Sequence, residues 1–121
     1  MSKPDPILLS IRMRFDGDAR IGPGKIALLE GIERSGSIAA AGREMGMSYR
    51  RAWLLVDAVN AMFDEPVVAT AAGGARGGGT TLTPLGSALV TAYRQVEREA
   101  LAATERHLGP VLAHRWPTDQ A

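Results

Sequence analysis

A mainly helical α+β fold in the order β-α-α-α-β-β-α is what the sequence predicts, on three observations. Two short helical stretches meet at Gly46, two β-prone pieces flank the glycine-rich run 73–79, and a long amphipathic stretch follows Pro84. At 121 residues the chain has room for one domain, expected over 1–121, with a core at 7–83, a long helix at 84–108 and a tail at 109–121.

The first element is the segment 7–15, which puts Ile7, Leu9, Ile11, Met13 and Phe15 on one face, with Arg12 and Arg14 on the other. Alternation with period two predicts a half-buried strand, and Asp16-Gly17-Asp18 is a turn signal after it. Gly22-Pro23-Gly24 precedes a helix whose inner face is Ile26, Leu29 and Ile32, ending at Ser35-Gly36. Ser37 suits the N-cap of a second helix running to about Met45, and Ser48 caps a third that runs to about Phe63. Ala52, Leu55, Val56, Val59 and Met62 or Phe63 form the apolar face of that third helix. The segment 66–71 and Thr80-Thr81-Leu82-Thr83 are β-prone and read as a hairpin around the glycine run. Thr83 then caps the longest helix, with Pro84 in its first turn and a stripe of Leu85, Leu89, Ala92, Tyr93, Val96, Ala100 and Ala103. Gly109-Pro110 is the expected stop.

Composition removes several function classes. There is no cysteine, which excludes disulfides, thiolate metal sites and cysteine nucleophiles. His107 and His114 are separated by Gly109-Pro110 and read as surface or packing residues, so no metal and no cofactor are expected. Serines without a nearby histidine and scattered carboxylates leave no catalytic cluster, and no enzyme is expected. Apolar runs fall well short of the ~20 residues of a membrane span and no signal peptide opens the chain, so a cytoplasmic protein is expected. The net charge of +1 names no partner by itself, but of 14 basic residues only Lys3 and Lys25 are lysine.

Two short helices followed by a glycine-tipped hairpin are the layout of a winged helix-turn-helix. Ala39-Ala40-Ala41-Gly42 is uniformly small and lets helices cross closely; Gly46 suits a left-handed turn residue, with Met45 and Met47 as apolar anchors beside it. In this layout the third helix presents its first turn to base edges in the major groove, where arginine paired with guanine is the commonest specific contact. The candidate DNA-facing residues are therefore Ser37, Arg43, Ser48, Tyr49, Arg50 and Arg51, with Arg76, Gly77 and Thr80 in the wing. A merely solvated arginine face is the plainer alternative. Trp53 reads as a packing residue, and Asp57, Asp64 and Glu65 keep the later turns off phosphate. The long helix is expected to pair with its symmetry mate through Leu85, Leu89, Ala92, Tyr93, Val96 and Ala100, the alternative being that it packs only within its own domain. Gly74 and Gly79 have the spacing of a phosphate-binding loop, but Thr80 stands where its lysine must be. Gly22-Pro23-Gly24-Lys25-Ile26-Ala27 fits a dinucleotide fingerprint only loosely, with no second βα unit behind it.

The run from Gly36-Ser37-Ile38-Ala39-Ala40-Ala41 through Met45-Gly46-Met47-Ser48-Tyr49-Arg50-Arg51-Ala52-Trp53 resembles the DNA-binding domain of the ModE family of molybdate-responsive regulators. More distantly it is similar to the LysR-type DNA-binding domain. The resemblance extends through Glu65-Pro66, the glycine run and Leu82-Thr83-Pro84-Leu85-Gly86, and covers about residues 7–107. It implies a homodimeric transcription regulator that grips operator DNA with its third helix and wing, the terminal helices joining the subunits. Full-length members continue into molybdate-binding domains. Nothing after Leu108 offers an oxyanion site, so no molybdate site is expected in this chain. The alternatives are a winged-helix protein-interaction module or a DNA-binding subunit controlled by a separate effector-binding protein.

Overall fold

In the computed structural model, which describes residues 6–70 and 79–116, four helices and two two-stranded sheets form a mainly helical α+β fold. The alternation of the N-terminal segment is realised in burial: Ile7, Leu9, Ile11 and Met13 are partly covered while Leu8, Ser10, Arg12 and Arg14 are exposed. Only β1 (Met13–Arg14) enters a ladder, because its antiparallel partner β2 (Arg20–Ile21) is equally short and runs at once into Gly22-Pro23. The expected strand over 7–15 thus shrinks to two paired residues, and β2 follows the turn in a stretch without a strand pattern of its own. Phe15, expected inside, is half exposed, since its amide donates to the Ala19 carbonyl to close the turn through Gly17 and Asp18.

Helix α1 (Pro23–Ser35) starts with Pro23 in its first turn and ends at Gly36, whose left-handed backbone lets its amide return to the Ile32 carbonyl. Ile26, Leu28, Leu29 and Ile32 are buried, and the helix is the centre of the core, touching each of the other helices. Helix α2 (Ile38–Glu44) crosses it closely: a Cβ on Gly31 would lie 3.0 Å from that of Ala41. The same device joins α2 to α3 (Tyr49–Asn60), where a Cβ on Gly42 would lie 3.0 Å from that of Ala52. Small residues at both crossings therefore set the spacing of the three helices.

Helix α3 stops at Asn60, short of the expected Phe63. The Asn60 side chain leaves the helical pattern's continuation to a turn: its Oδ1 accepts from the Val67 and Val68 amides at 2.8 and 3.1 Å. Met62 and Phe63 still pack against the core from that turn, as does Leu55 from the helix. The second sheet pairs β3 (Val68–Thr70) with β4 (Thr80–Leu82), Val68 opposite Leu82 and Thr70 opposite Thr80.

Helix α4 (Pro84–Leu112) has 29 residues and runs through Gly109-Pro110, past the stop expected at Leu108. Pro110 removes one helical hydrogen bond, but Gly109 has no Cβ to meet the proline ring, so the helical conformation survives for one more turn. The expected tail consequently begins at Ala113 rather than Gly109.

Candidate nucleic-acid interface

The α2–turn–α3 unit is held by backbone and caps more than by side-chain contacts. Ser37 Oγ accepts the Ala40 amide at 3.1 Å and Ser48 Oγ accepts the Arg51 amide at 3.1 Å. Between them Gly46 takes a left-handed φ of 69°, and the Gly42 carbonyl accepts from both Met45 and Met47 amides. Of the two methionines expected to anchor this turn only Met47 packs on the core; Met45 is exposed, because the left-handed residue between them turns the pair to opposite sides.

This turn sets the first turn of α3 free on the surface. Ser48, Tyr49, Arg50 and Arg51 are all exposed, and the first turn carries no acidic residue. The Ser48 cap uses the Arg51 amide, and the Ala52 amide returns to Ser48 O, which leaves the amides of Tyr49 and Arg50 to solvent. Positive partial charge therefore accumulates where the guanidinium groups already are. Arg43, at the end of α2, is exposed nearby in sequence across the turn. The single acid of this stretch, Glu44, is taken by Arg34 at 2.8 Å. Among the described residues Arg43, Arg50 and Arg51 form no ion pair, so their charge is available to a partner. Asp57, Asp64 and Glu65 are exposed at the other end of α3, which gives the helix a basic and an acidic end.

Trp53 is partly buried against the core, as its packing role requires, and its ring meets that of Tyr49 edge-on at 6.2 Å and 83°. The Tyr49 ring, 57% exposed, is thus held at the start of the helix.

Other expected site residues are distributed less simply. Ser37 lies at the start of α2 with its oxygen already capping. Among the described members of the expected DNA-facing set Thr80 alone is buried: it is 9% exposed, and its amide donates to the Gly36 carbonyl at 3.0 Å. It ties β4 to the end of α1 instead of facing outward. Arg76 and Gly77 fall outside the described residues. Lys25, in the loose dinucleotide pattern, is spent on the Arg20 carbonyl at 2.7 Å; burial, and then Arg20, hold its pKa down.

The stripe expected for subunit pairing divides. Leu85 and Leu89 pack on the chain's own core, and Tyr93, 3% exposed, donates its hydroxyl to the Ile11 carbonyl at 2.5 Å. Tyr93 is a core residue of this domain, which long-range packing decides and helical spacing does not reveal. Ala92 and Val96 remain exposed and Ala100 partly so. Burial, and next the charge of Glu97, raise the Tyr93 pKa. Beside it Arg94 grips both oxygens of Glu30 at 3.0 and 2.6 Å and reaches Glu97 at 2.7 Å. Arg94 hydrogen bonding holds the Glu30 carboxyl below its ordinary range, and the same bonds raise Arg94.

Sequence reasoning missed Asn60, which locks the end of α3 to β3, and the Arg94–Glu30 pair. A polar residue facing the inner side of the helix end was the available signal for Asn60. Among the described residues no group of acidic and histidine side chains is placed to hold a metal, and no helix is long and apolar enough to cross a membrane.

No family model matches the chain. Curated proteins do. The chain is 51% identical over 79 residues to the molybdenum-pterin-binding protein MopB of Rhodobacter capsulatus, covering 65% of this chain and 29% of that protein. It is 42% identical over 97 residues to the molybdenum transport protein ModE of Azotobacter vinelandii, covering 78% and 36%. With the DNA-binding transcriptional dual regulator ModE of Escherichia coli K12 it shares 36% identity over 81 residues, covering 64% and 31%. The chain spans about a third of the length of the curated relatives it matches.

Proposed function

We propose that this chain, a homologue of the ModE and Mop proteins, is a winged helix-turn-helix regulator that binds operator DNA with α3 and works as a homodimer. The observation that carries the reading is the first turn of α3, where Arg50 and Arg51, without an ion pair among the described residues, flank free backbone amides, and Glu44 is already held by Arg34. A protein that enters the major groove needs this combination of base-reading side chains and phosphate-binding amides. Arg50 and Arg51 take base edges or phosphates, Arg43 and Ser48 take phosphates, and Tyr49 packs at the groove edge. The paired strands β3 and β4 are the wing, and Arg76 and Gly77, which lie between them in the sequence, serve the minor groove or a phosphate. Ser37 Oγ caps α2 by accepting the Ala40 amide, and its hydroxyl proton donates to a DNA phosphate. The chemistry is binding, in the cytoplasm, with no catalytic step.

Pairing through the exposed part of α4, including Ala92, Val96 and Ala100, sets two α3 helices at half-sites about 34–36 Å apart or a multiple of that. The test is binding to duplexes enriched by the protein from a random pool. Arg50→Ala or Arg51→Ala weakens binding by about 1–3 kcal/mol where a base contact is lost, and log affinity falls linearly with log salt. Unchanged binding by both variants, or a flat salt response, removes the assignment.

A further inference from the structure

We propose that Leu54 is a specificity-determining residue that packs on the 5-methyl group of a thymine in the major groove. This inference rests on the DNA-binding reading above and adds to it a base that the arginines do not choose.

Three observations carry it. The first is direction. Ala52, Val56 and Val59 are the buried face of α3, and at 3.6 residues per turn Leu54 points to the opposite side. Arg50, one turn earlier, shares that outward side, as does Asp57 one turn later. The second is cost. Leu54 is 56% exposed and contributes nothing to the core, whereas its neighbours Trp53 and Leu55 both pack against it. The third is isolation. Apart from Tyr49 at the helix start, the other exposed positions of α3 are Arg50, Arg51, Asp57 and Ala58, none of them large and apolar. A protein partner needs an apolar centre of many residues. One leucine between an arginine and an aspartate matches something that offers a single methyl group among polar atoms.

Base edges in the major groove are donors and acceptors with one apolar exception, the thymine methyl. A helix that brings Arg50 to a base brings Leu54 about 6 Å further along the helix axis, and since that axis crosses the DNA axis in the groove the advance along the DNA is at most about two base-pair steps. The thymine therefore lies within about two base pairs of the base met by Arg50. Covering one methyl group is worth about fourfold in affinity.

The experiment uses the full chain. Duplexes are enriched from a random pool by the wild type, and each thymine of the resulting consensus is replaced singly by deoxyuridine, which removes only the methyl. One replacement near the Arg50-dependent base weakens wild-type binding about fourfold. Leu54→Ala binds the thymine duplex about fourfold more weakly and is then indifferent to that replacement, while Arg50→Ala stays sensitive to it. Thermal unfolding of Leu54→Ala matches the wild type, because the side chain touches no core. The proposal is overturned if Leu54→Ala remains as sensitive as wild type to every replacement, if no replacement affects wild type, or if the consensus holds no thymine. Enrichment of no sequence at all overturns the DNA-binding reading itself, which the other outcomes leave standing.

Discussion

Two stretches of the same helix behave as different materials. Over residues 84–93 of α4, Gly86, Val90 and Tyr93 are buried and Leu85 and Leu89 pack against the domain core. Over residues 94–112 no residue is buried, and Val96, Leu108 and Val111 are exposed. The apolar stripe nevertheless continues across the boundary at unbroken helical spacing. Periodicity states that a face needs covering and leaves open what covers it: the chain itself in the first stretch, and a second chain in the proposed dimer for the second. Arg94 marks the change, clamped to Glu30 of α1 immediately after the last buried residue.

The sharpest way to break the anchored stretch is at its first turn. Thr83 Oγ1 caps the Gly86 amide and also donates to the Pro66 carbonyl at 2.7 Å, which brings the start of α4 onto the chain before β3. A Cβ on Gly86 would overlap the Val67 carbonyl oxygen, a backbone atom with no side-chain freedom to yield. Gly86→Ala is expected to destabilise the domain by about 3 kcal/mol or more, read as a lower urea midpoint. A midpoint like that of wild type would mean that the helix start is not fixed by this approach.

Tyr93→Phe tests the far end of the same stretch. It removes the hydroxyl that satisfies the Ile11 carbonyl and keeps the ring, so a loss of about 1–2 kcal/mol is expected in the same measurement. A smaller effect belongs to the clamp. The Glu30 pKa is lowered in the folded chain, so its stabilisation is present at neutral pH and is lost as pH falls below the ordinary glutamate range. Both partners are partly solvated, which limits the contribution to at most about 1 kcal/mol. Glu30→Gln should therefore lower stability slightly at pH 7 and flatten the acid limb of the stability curve. An unchanged acid limb would show that Arg94 does not hold Glu30 in solution.

What was legible in the sequence follows the same division between local and distant causes. Ser37, Ser48 and Thr83 cap the helices they precede, and Gly36 and Gly46 take left-handed backbone, because caps and turns are decided within a few residues. The run Ala39-Ala40-Ala41-Gly42 announced close helix crossings through size alone. Legibility fails where a partner lies far along the chain. Asn60 ends α3 early by bonding to residues beyond the turn, and Arg94 meets a glutamate 64 positions away. Position predicts an outward Thr80 in the wing, but pairing with Thr70 and the bond to the Gly36 carbonyl turn it inward. In the candidate interface, Arg50 and Arg51 are exposed at the helix end where their position puts them. The apolar face of α3 already leaves Leu54 outside it; that no other described part of the domain covers this leucine depends on packing far along the chain.

The unanchored stretch yields the smallest change in the folding of one chain and a large change in assembly. Val96 is exposed and lies one turn beyond Ala92, on the side of α4 that the domain leaves open. In a single chain Val96→Asp replaces an exposed side chain by another exposed one, so unfolding of dilute protein should shift by no more than about 0.5 kcal/mol. In the proposed dimer the same change places two carboxylates on a shared apolar seam, where each has lost its water. The melting temperature of wild type should rise with protein concentration, since pairing binds only the folded state, and that dependence should vanish in Val96→Asp. Light scattering should show the variant at half the wild-type mass. A wild type whose melting temperature ignores concentration, or a variant that scatters as wild type does, would mean that residues 94–112 are covered some other way. The division of α4 into an anchored and a pairing stretch would then lose its second half while Gly86 and Tyr93 kept the first.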